Sequence, residues 1–397
     1  MEPVQIKDNV YWVGAVDWNV RNFHGYSTHL GTTYNAYLAV DEKITLFDTV
    51  KSGFGDELVY KIERIVDPRK VNYLIVNHVE PDHSGCIPEI VDLIQPEKIF
   101  CSPMGKEALL QHFHREDWPY EVVKTGDEIS IGKKSVHFME TRMLHWPDSM
   151  FSYIPEDRLL ISQDGFGQHW ATGERFDDEV DKSNLFNQTA KYYANIVMPY
   201  AGRVKSILKD IHEKGFAFDM IAPDHGLIWR RFTNEVLEAY EGWSQSEAEE
   251  KALVVYDSMW HSTERMAKAV IDGLLLEGLT VHPFDLKVNN ADDIMTEVLD
   301  SKAVVFGSPT LNNGVMPPMA AMLSYMKGLR PTGKIGAAFG SYGWSGEAVR
   351  LINQAMEEMK FDIIDPGIRV KYVPTEDDLK QCVELGQKIG RAVKEKS

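Results

Sequence analysis

Short apolar runs of β type open the chain, at residues 10–13, 34–40 and 44–47, with helical spacing of apolar positions following them. A second series, at 122, 136–139, 151–154 and 159–162, gives way to helical patterns and a last short strand at 220–222. The two series read as two copies of one strand-rich plan without sequence identity between them, in which strands pack with helices. The polar stretch Ser244-Gln245-Ser246-Glu247-Ala248-Glu249-Glu250-Lys251 interrupts this pattern. Beyond it, strands at 252–256, 280–284, 303–307, 334–340 and 361–366 alternate with helical segments. This predicts a domain boundary that divides residues 1–248 from 249–397. The second part should be an α/β fold, a doubly wound parallel sheet whose ligand site lies at the carboxyl ends of its strands.

A length of 397 residues fits two domains, and 44% hydrophobic residues suffice for two cores, which excludes a disordered chain. The net charge of -18 repels phosphate backbones and anionic lipid, so no nucleic acid partner is expected. No apolar run approaches the roughly 20 residues of a membrane helix, and the first residues, Met1-Glu2-Pro3-Val4, lack the features of a signal peptide. No membrane association and a cytoplasmic location are therefore expected. Cys86, Cys101 and Cys382 are scattered, so a disulfide framework and a Cys-x-x-Cys site are both excluded. Redox chemistry would have to come from a bound cofactor, or from a metal held by histidines and carboxylates.

Such a metal site has clear candidates. The strand pattern Tyr73-Leu74-Ile75-Val76-Asn77 runs into His78-Val79-Glu80-Pro81-Asp82-His83-Ser84-Gly85, which crowds four possible ligands into one strand-to-helix loop. Pro81 argues against a regular helix through the ligands, and Ser84 is placed to cap a helix just after them. His145, Asp164 and His225 each follow an apolar strand in the same way, giving seven candidates. Asp148 and Asp224 lie close enough in sequence to accept hydrogen bonds from ligand imidazoles, or to serve as turn aspartates. His169 is left outside the ligand set.

The His-x-x-x-Asp-His loop followed by later His, Asp and His resembles the metallo-β-lactamase fold, an αββα sandwich. Hydrolases of that fold usually carry His-x-His-x-Asp-His, and here Glu80 replaces the second histidine. A carboxylate makes the site harder and more anionic, which suits two irons better than zinc. This Glu form joined to a flavodoxin-like domain is similar to the flavodiiron proteins. The resemblance implies that His78, Glu80 and His145 bind one iron, that Asp82, His83 and His225 bind the other, and that Asp164 bridges them. It also implies that His24 and Tyr193 line the substrate pocket, where either could instead be ordinary packing.

The flavin candidates sit in the second part. After the strand at 252–256 comes Asp257-Ser258-Met259-Trp260-His261-Ser262-Thr263, whose hydroxyls and backbone N–H groups precede a helix and could cradle a phosphate monoester without a lysine. His261 stands where flavodoxins usually have a small residue, and the Trp-His version resembles flavodiiron proteins. Two further loops follow the third and fourth strands, Gly307-Ser308-Pro309-Thr310-Leu311-Asn312-Asn313-Gly314 and Gly340-Ser341-Tyr342-Gly343-Trp344-Ser345-Gly346. The second offers aromatic faces for an isoalloxazine ring. No Gly-x-Gly-x-x-Gly follows a strand, so FMN fits better than FAD or NAD.

The family resemblance, which spans essentially the whole chain, implies an FMN, two non-haem irons per chain, and reduction of dioxygen to water, of nitric oxide to nitrous oxide, or of both. It also implies a head-to-tail homodimer or a dimer of dimers, in which the FMN of one chain serves the irons of the other. With no rubredoxin-like pair of Cys-x-x-Cys motifs, the electron donor is expected to be a separate molecule, rubredoxin first and a reduced deazaflavin cofactor second. Two other classes compete: a zinc hydrolase carrying a flavodoxin-like module, which Glu80 argues against, and an electron carrier in which only the flavin functions.

Overall fold

The computed structural model describes residues 1–396, which divide into two compact units. One comprises Met1–Tyr192 and Tyr200–Glu241, the other Tyr193–Pro199 and the described residues from Gly242 onward. The break at 241/242 falls inside the helix Thr233–Ser244, just before the polar run, and the strand Glu249–Tyr256 begins within that run.

The first unit holds a seven-stranded sheet and a five-stranded sheet. In spatial order the larger sheet is Val4–Lys7, Val10–Trp12, Tyr37–Ala39, Ile44–Phe47, Val71–Val76, Lys98–Cys101 and Tyr120–Val122. The smaller is Glu128–Ser130, Ser135–Glu140, Met150–Ile154, Leu159–Gln163 and Met220–Pro223. The second strand series forms the smaller sheet except at 122, where Tyr120–Val122 instead pairs with Lys98–Cys101 at the edge of the larger one, and the pleat explains how the two sheets pack. Tyr37, Ala39, Ile75 and Phe100 point into one core with Phe138, Met150, Ile154 and Ile161 of the smaller sheet. Their neighbours Leu38, Leu74, Val76 and Ile99 point to the other face. There they meet Leu58 and Ile62 of helix Gly55–Glu63, and Ile90 and Ile94 of helix Ile87–Ile94. Every residue of Met150–Ile154 and Leu159–Gln163 is buried, so both faces of the smaller sheet are also covered.

Three local expectations differ. The run at 34–40 is split into Thr32–Tyr34 and Tyr37–Ala39, which belong to different sheets. The break falls at Asn35, whose backbone N–H leaves the ladder to bond the Asp224 carbonyl at 2.7 Å. A one-turn helix, Pro81–Ser84, does run through the ligands, because proline is well tolerated at a first helical position where its missing N–H costs nothing. Ser84 caps nothing, and its hydroxyl donates to the Val79 carbonyl at 2.7 Å.

The second unit is a parallel sheet in the order Thr280–Asp285, Glu249–Tyr256, Ser301–Gly307, Ile335–Tyr342 and Asp362–Ile363. This is the 2-1-3-4-5 order of a doubly wound fold, and its switch point lies between the first and third strands. The expected last strand is shorter than the pattern at 361–366 suggested. Pro366 and Gly367 (φ +94°) break it, and pairing with Ile335–Tyr342 resumes at Ile368–Lys371. A Cβ at Gly367 would meet the Ala338 carbonyl oxygen at 2.6 Å, so this close approach needs glycine. Among the described residues, no helix is long and apolar enough to cross a membrane.

Candidate metal centre and flavin cavity

The strand Val71–Val76 delivers the first ligands through an anchored turn. Buried Asp48 accepts the Asn77 backbone N–H and side-chain amide, each at 2.7 Å, which fixes the chain just before His78. Four ligand atoms then converge. His78 Nε2 lies 3.4 Å from Glu80 Oε2 and 3.3 Å from Asp164 Oδ2, and His145 Nε2 lies 3.2 and 3.0 Å from the same two oxygens. A second group sits beside it. Asp82 Oδ2 is 3.4 Å from His83 Nε2 and 3.0 Å from His225 Nε2, and Asp164 Oδ1 is 3.1 Å from His83 Nε2 and 3.6 Å from His225 Nε2. The two oxygens of Asp164 therefore face different ligand groups.

These spacings fit metal coordination. Bonds of about 2.0–2.2 Å to nitrogen and oxygen put adjacent ligand atoms roughly 3 Å apart. Both carboxylate oxygens of Asp82, both ring nitrogens of His83 and Oδ1 of Asp164 are buried without a hydrogen-bond partner. Buried polar atoms seldom go unpaired, and cations would satisfy these. Three carboxylates share the site with four imidazoles, and the electrostatics reflect the carboxylate charge. Burial alone would lower the His78 and His83 imidazoles. Asp148 beside His78 and Asp82 beside His83 overcome burial, raising His78 well above its ordinary range and His83 to about 10. Burial would likewise raise Glu80, but His145 and His78 hold it down at about 2.

Outer partners orient the imidazoles. Asp148 Oδ2 is 3.0 Å from His78 Nδ1 and accepts the Val79 N–H at 2.7 Å. His225 Nδ1 lies 2.6 Å from the Thr33 carbonyl. Asp224 is fully buried, 3.7 Å from His83 Nδ1, and burial next to Asp48 raises its carboxyl well above the usual range. Thr33 and its neighbour Asn35 are partners the sequence reading missed. Asn35 accepts from Trp12 Nε1 at 2.8 Å and donates to the Pro223 and Gly226 carbonyls at 2.7 and 3.0 Å, on either side of His225. An asparagine inside a β run was the available signal.

His24 stands 79% exposed in its side chain, with Nε2 3.9 Å from Glu80 Oε1. Tyr193 belongs to the second unit, and its ring packs against Trp243 at 5.1 Å. Its neighbour Tyr192 instead meets the His225 ring at 6.0 Å, as Tyr34 does, and also packs on His169 at 5.1 Å. His169 is buried, with Nδ1 2.8 Å from the Thr32 hydroxyl.

In the second unit the carboxyl ends of the strands surround a cavity of about 380 Å³. Met259, Trp260 and Ser262 contribute from the first loop, Pro309, Thr310, Leu311 and Asn312 from the second, and Ser341, Tyr342, Gly343 and Trp344 from the third. Tyr372 and Val373, which follow the strand Ile368–Lys371, complete it; the sequence reading missed them because that strand was not foreseen. Trp260 and Trp344 are each 86% exposed, so neither fills core space, and open aromatic faces beside a cavity suit a planar ring.

The other proposed flavin residues hold the loops. His261 is at the N-cap of helix Ser262–Leu276 with φ +65° and pairs with Glu264 at 2.7 Å. The Thr263 hydroxyl lies 2.9 Å from that of Ser341, tying the first loop to the third. Ser308 accepts the Met316 N–H, Gly314 closes a turn with Leu311, and the Ser345 hydroxyl donates to Asn313. At Gly346 (φ +82°), a Cβ would press on the Tyr342 ring at 3.1 Å.

The chain matches the model of the ODP family beta lactamase over residues 32–226 and that of flavodoxin over residues 254–386. It is 47% identical to a nitric oxide reductase of Moorella thermoacetica, covering 99% of both chains. Among solved structures, it superposes on rubredoxin oxygen:oxidoreductase from Desulfovibrio gigas with a TM-score of 0.98 at 45% identity, covering 100% of this chain and 99% of that one. It also superposes on the flavodiiron protein from Giardia intestinalis with a TM-score of 0.96 at 34% identity, covering 100% and 97%. A lactamase-like unit with two adjoining ligand groups, a flavodoxin unit with an aromatic-rimmed cavity, and full-length relatives of this kind lead to one conclusion: the chain belongs to the flavodiiron protein family.

Proposed function

We infer that the chain is an oxidoreductase that reduces dioxygen to water, nitric oxide to nitrous oxide, or both, with electrons from an external carrier. The observation that carries this reading is Asp164, whose two carboxylate oxygens each face a separate ligand group, with Glu80 in the place of a hydrolase histidine. The ligand assignment proposed is His78, Glu80 and His145 for one iron, Asp82, His83 and His225 for the other, and Asp164 between them. Residues 1–248 would hold the irons, and residues 249–397 the FMN. When bound, an iron pair would supply a binding site for the diatomic gas, and FMN would supply electrons.

The chain's own residues then have definite tasks. Asp148 and the Thr33 carbonyl take the Nδ1–H of His78 and His225, which turns each Nε2 lone pair inward. Trp146 against His78 at 5.3 Å, and Tyr34 and Tyr192 against His225 at 6.0 Å each, form aromatic walls that keep water from the ligands. His24, beside Glu80, is placed to hydrogen-bond an arriving substrate. Tyr193 is proposed for the pocket with His24, and its ring packs on Trp243.

Rubredoxin is the proposed donor, as the name of the Desulfovibrio gigas relative suggests. A cytoplasmic location and a head-to-tail dimer are proposed with it, the dimer because Trp260 and Trp344 stand open at the flavin cavity. Iron analysis combined with anaerobic stopped-flow tests the function. About two irons per chain, and reoxidation of the reduced protein by one or both gases with water or nitrous oxide as product, are expected. Zinc at full occupancy with no gas consumption would overturn the reading. Sedimentation of the loaded protein as a monomer would remove the dimer.

A further inference from the structure

The bridging position of Asp164 requires that its carboxylate be aimed between two ligand groups, and the strand that carries it is not regular. Leu159–Gln163 pairs in parallel with Met220–Pro223, but Ile161 lies opposite Ala222 and Gln163 opposite Pro223. One strand advances two residues while the other advances one, so Ser162 is bulged out of register. Bulges re-aim side chains at strand ends. Gln163 follows the bulge with φ +43°, a left-handed conformation that a residue with a Cβ holds only when its surroundings fix it.

Those surroundings are the ligand loops themselves. The Gln163 carboxamide is fully buried. Its Oε1 accepts the backbone N–H of Asp164 at 2.6 Å, and its Nε2 donates to the carbonyl of Leu144, the residue before His145. Its backbone carbonyl accepts the N–H of Asp224, the residue before His225, at 2.8 Å. One residue thus bonds directly to the bridging residue and to the neighbours of one ligand from each group. A carboxamide suits this place because one end must accept and the other donate.

We propose that Gln163 is the positioning residue of the iron pair: it fixes the Asp164 carboxylate relative to His145 and His225, and so sets the geometry of the bridge between the metals. The proposal rests on the diiron reading given above. It assigns Gln163 no contact with substrate. It separates Gln163 from Asn35, which among the ligand loops grips that of His225, and from Asp148, which meets His78 among the ligand imidazoles.

The test uses the full chain with FMN bound, stripped of metal and titrated anaerobically with ferrous iron. Wild type, Gln163→Met and Gln163→Glu are compared by iron per chain, iron affinity and the low-temperature electron paramagnetic resonance signal of the half-oxidised pair. Gln163→Met keeps the length of the side chain and loses both polar ends. It should weaken iron binding by about 10–100-fold, the usual cost of removing an outer-shell partner, and alter the exchange-coupled signal while FMN content stays at the wild-type level. Gln163→Glu keeps the acceptor for Asp164 N–H but turns an oxygen toward the Leu144 carbonyl, so it too should alter the coupled signal. This second variant decides the matter if Gln163→Met fails to fold. Wild-type affinity together with an unchanged coupled signal in the folded variants would overturn the proposal. Wild-type protein that takes up fewer than two irons, or shows no coupled signal, would instead sink the diiron reading and the proposal with it.

Discussion

The iron pocket and the flavin cavity are built on opposite physical plans. In the first, no ligand side chain is more than 15% exposed, and His78 and His225 each meet an outer partner at Nδ1. In the second, the side chains suited to hold the ring, Trp260 and Trp344, are 86% exposed, and the loops are held by their own hydroxyls and turns. A small cation has no shape to complement and must be met by atoms already in place, so the protein invests in preorganisation. A flat organic ring brings its own apolar surface, so the protein can leave that part of the packing for the ligand to complete.

If this contrast is right, changes in the two regions should separate cleanly. The largest effect belongs to Asp164→Ala, which removes the group facing both ligand sets: loss of both irons and of gas reduction, with FMN retained, is expected by metal analysis and flavin absorbance. Asp148→Asn should come next. It leaves His78 without an anionic acceptor and should weaken iron binding by about 10–100-fold, read by competition with a chelator. Trp344→Ala should act on the other side of the comparison. Loss of an aromatic stacking contact of about 0.5–1.5 kcal/mol should raise the FMN dissociation constant by up to roughly tenfold, with iron content unchanged. The smallest effect is expected for His24→Ala. The side chain is mostly exposed and outside both ligand groups, so iron and FMN should stay at full load, and only turnover should fall, by a few-fold. Iron loss in Trp344→Ala, or flavin loss in Asp148→Asn, would blur the two plans into one.

The sequence revealed most where local chemistry is dense. The crowding of His78, Glu80, Asp82 and His83 into one loop marked the metal centre, and the repeated strand-loop-helix pattern marked the flavin loops. It was weakest where a residue's role depends on a distant partner. Asn35 looks like one position in a β run from 34 to 40, and only the Asp224 carbonyl, far along the chain, explains why the run breaks there. Tyr372 and Val373 carry no local signal, because they reach the cavity through a strand that resumes after Gly367. The adjacent tyrosines 192 and 193 are indistinguishable by composition; helix geometry turns one toward His225 and the other onto Trp243.

By itself the sequence determined the two-part architecture and singled out the candidate metal-type side chains, since periodicity and ligand chemistry are properties of residues and their near neighbours. Tertiary structure alone decided which oxygen of Asp164 faces which histidines, which backbone groups hold the ligand loops, and which aromatic side chains stand open at the flavin cavity. Those outcomes depend on how segments far apart in the chain meet, and only the packing within each unit fixes that.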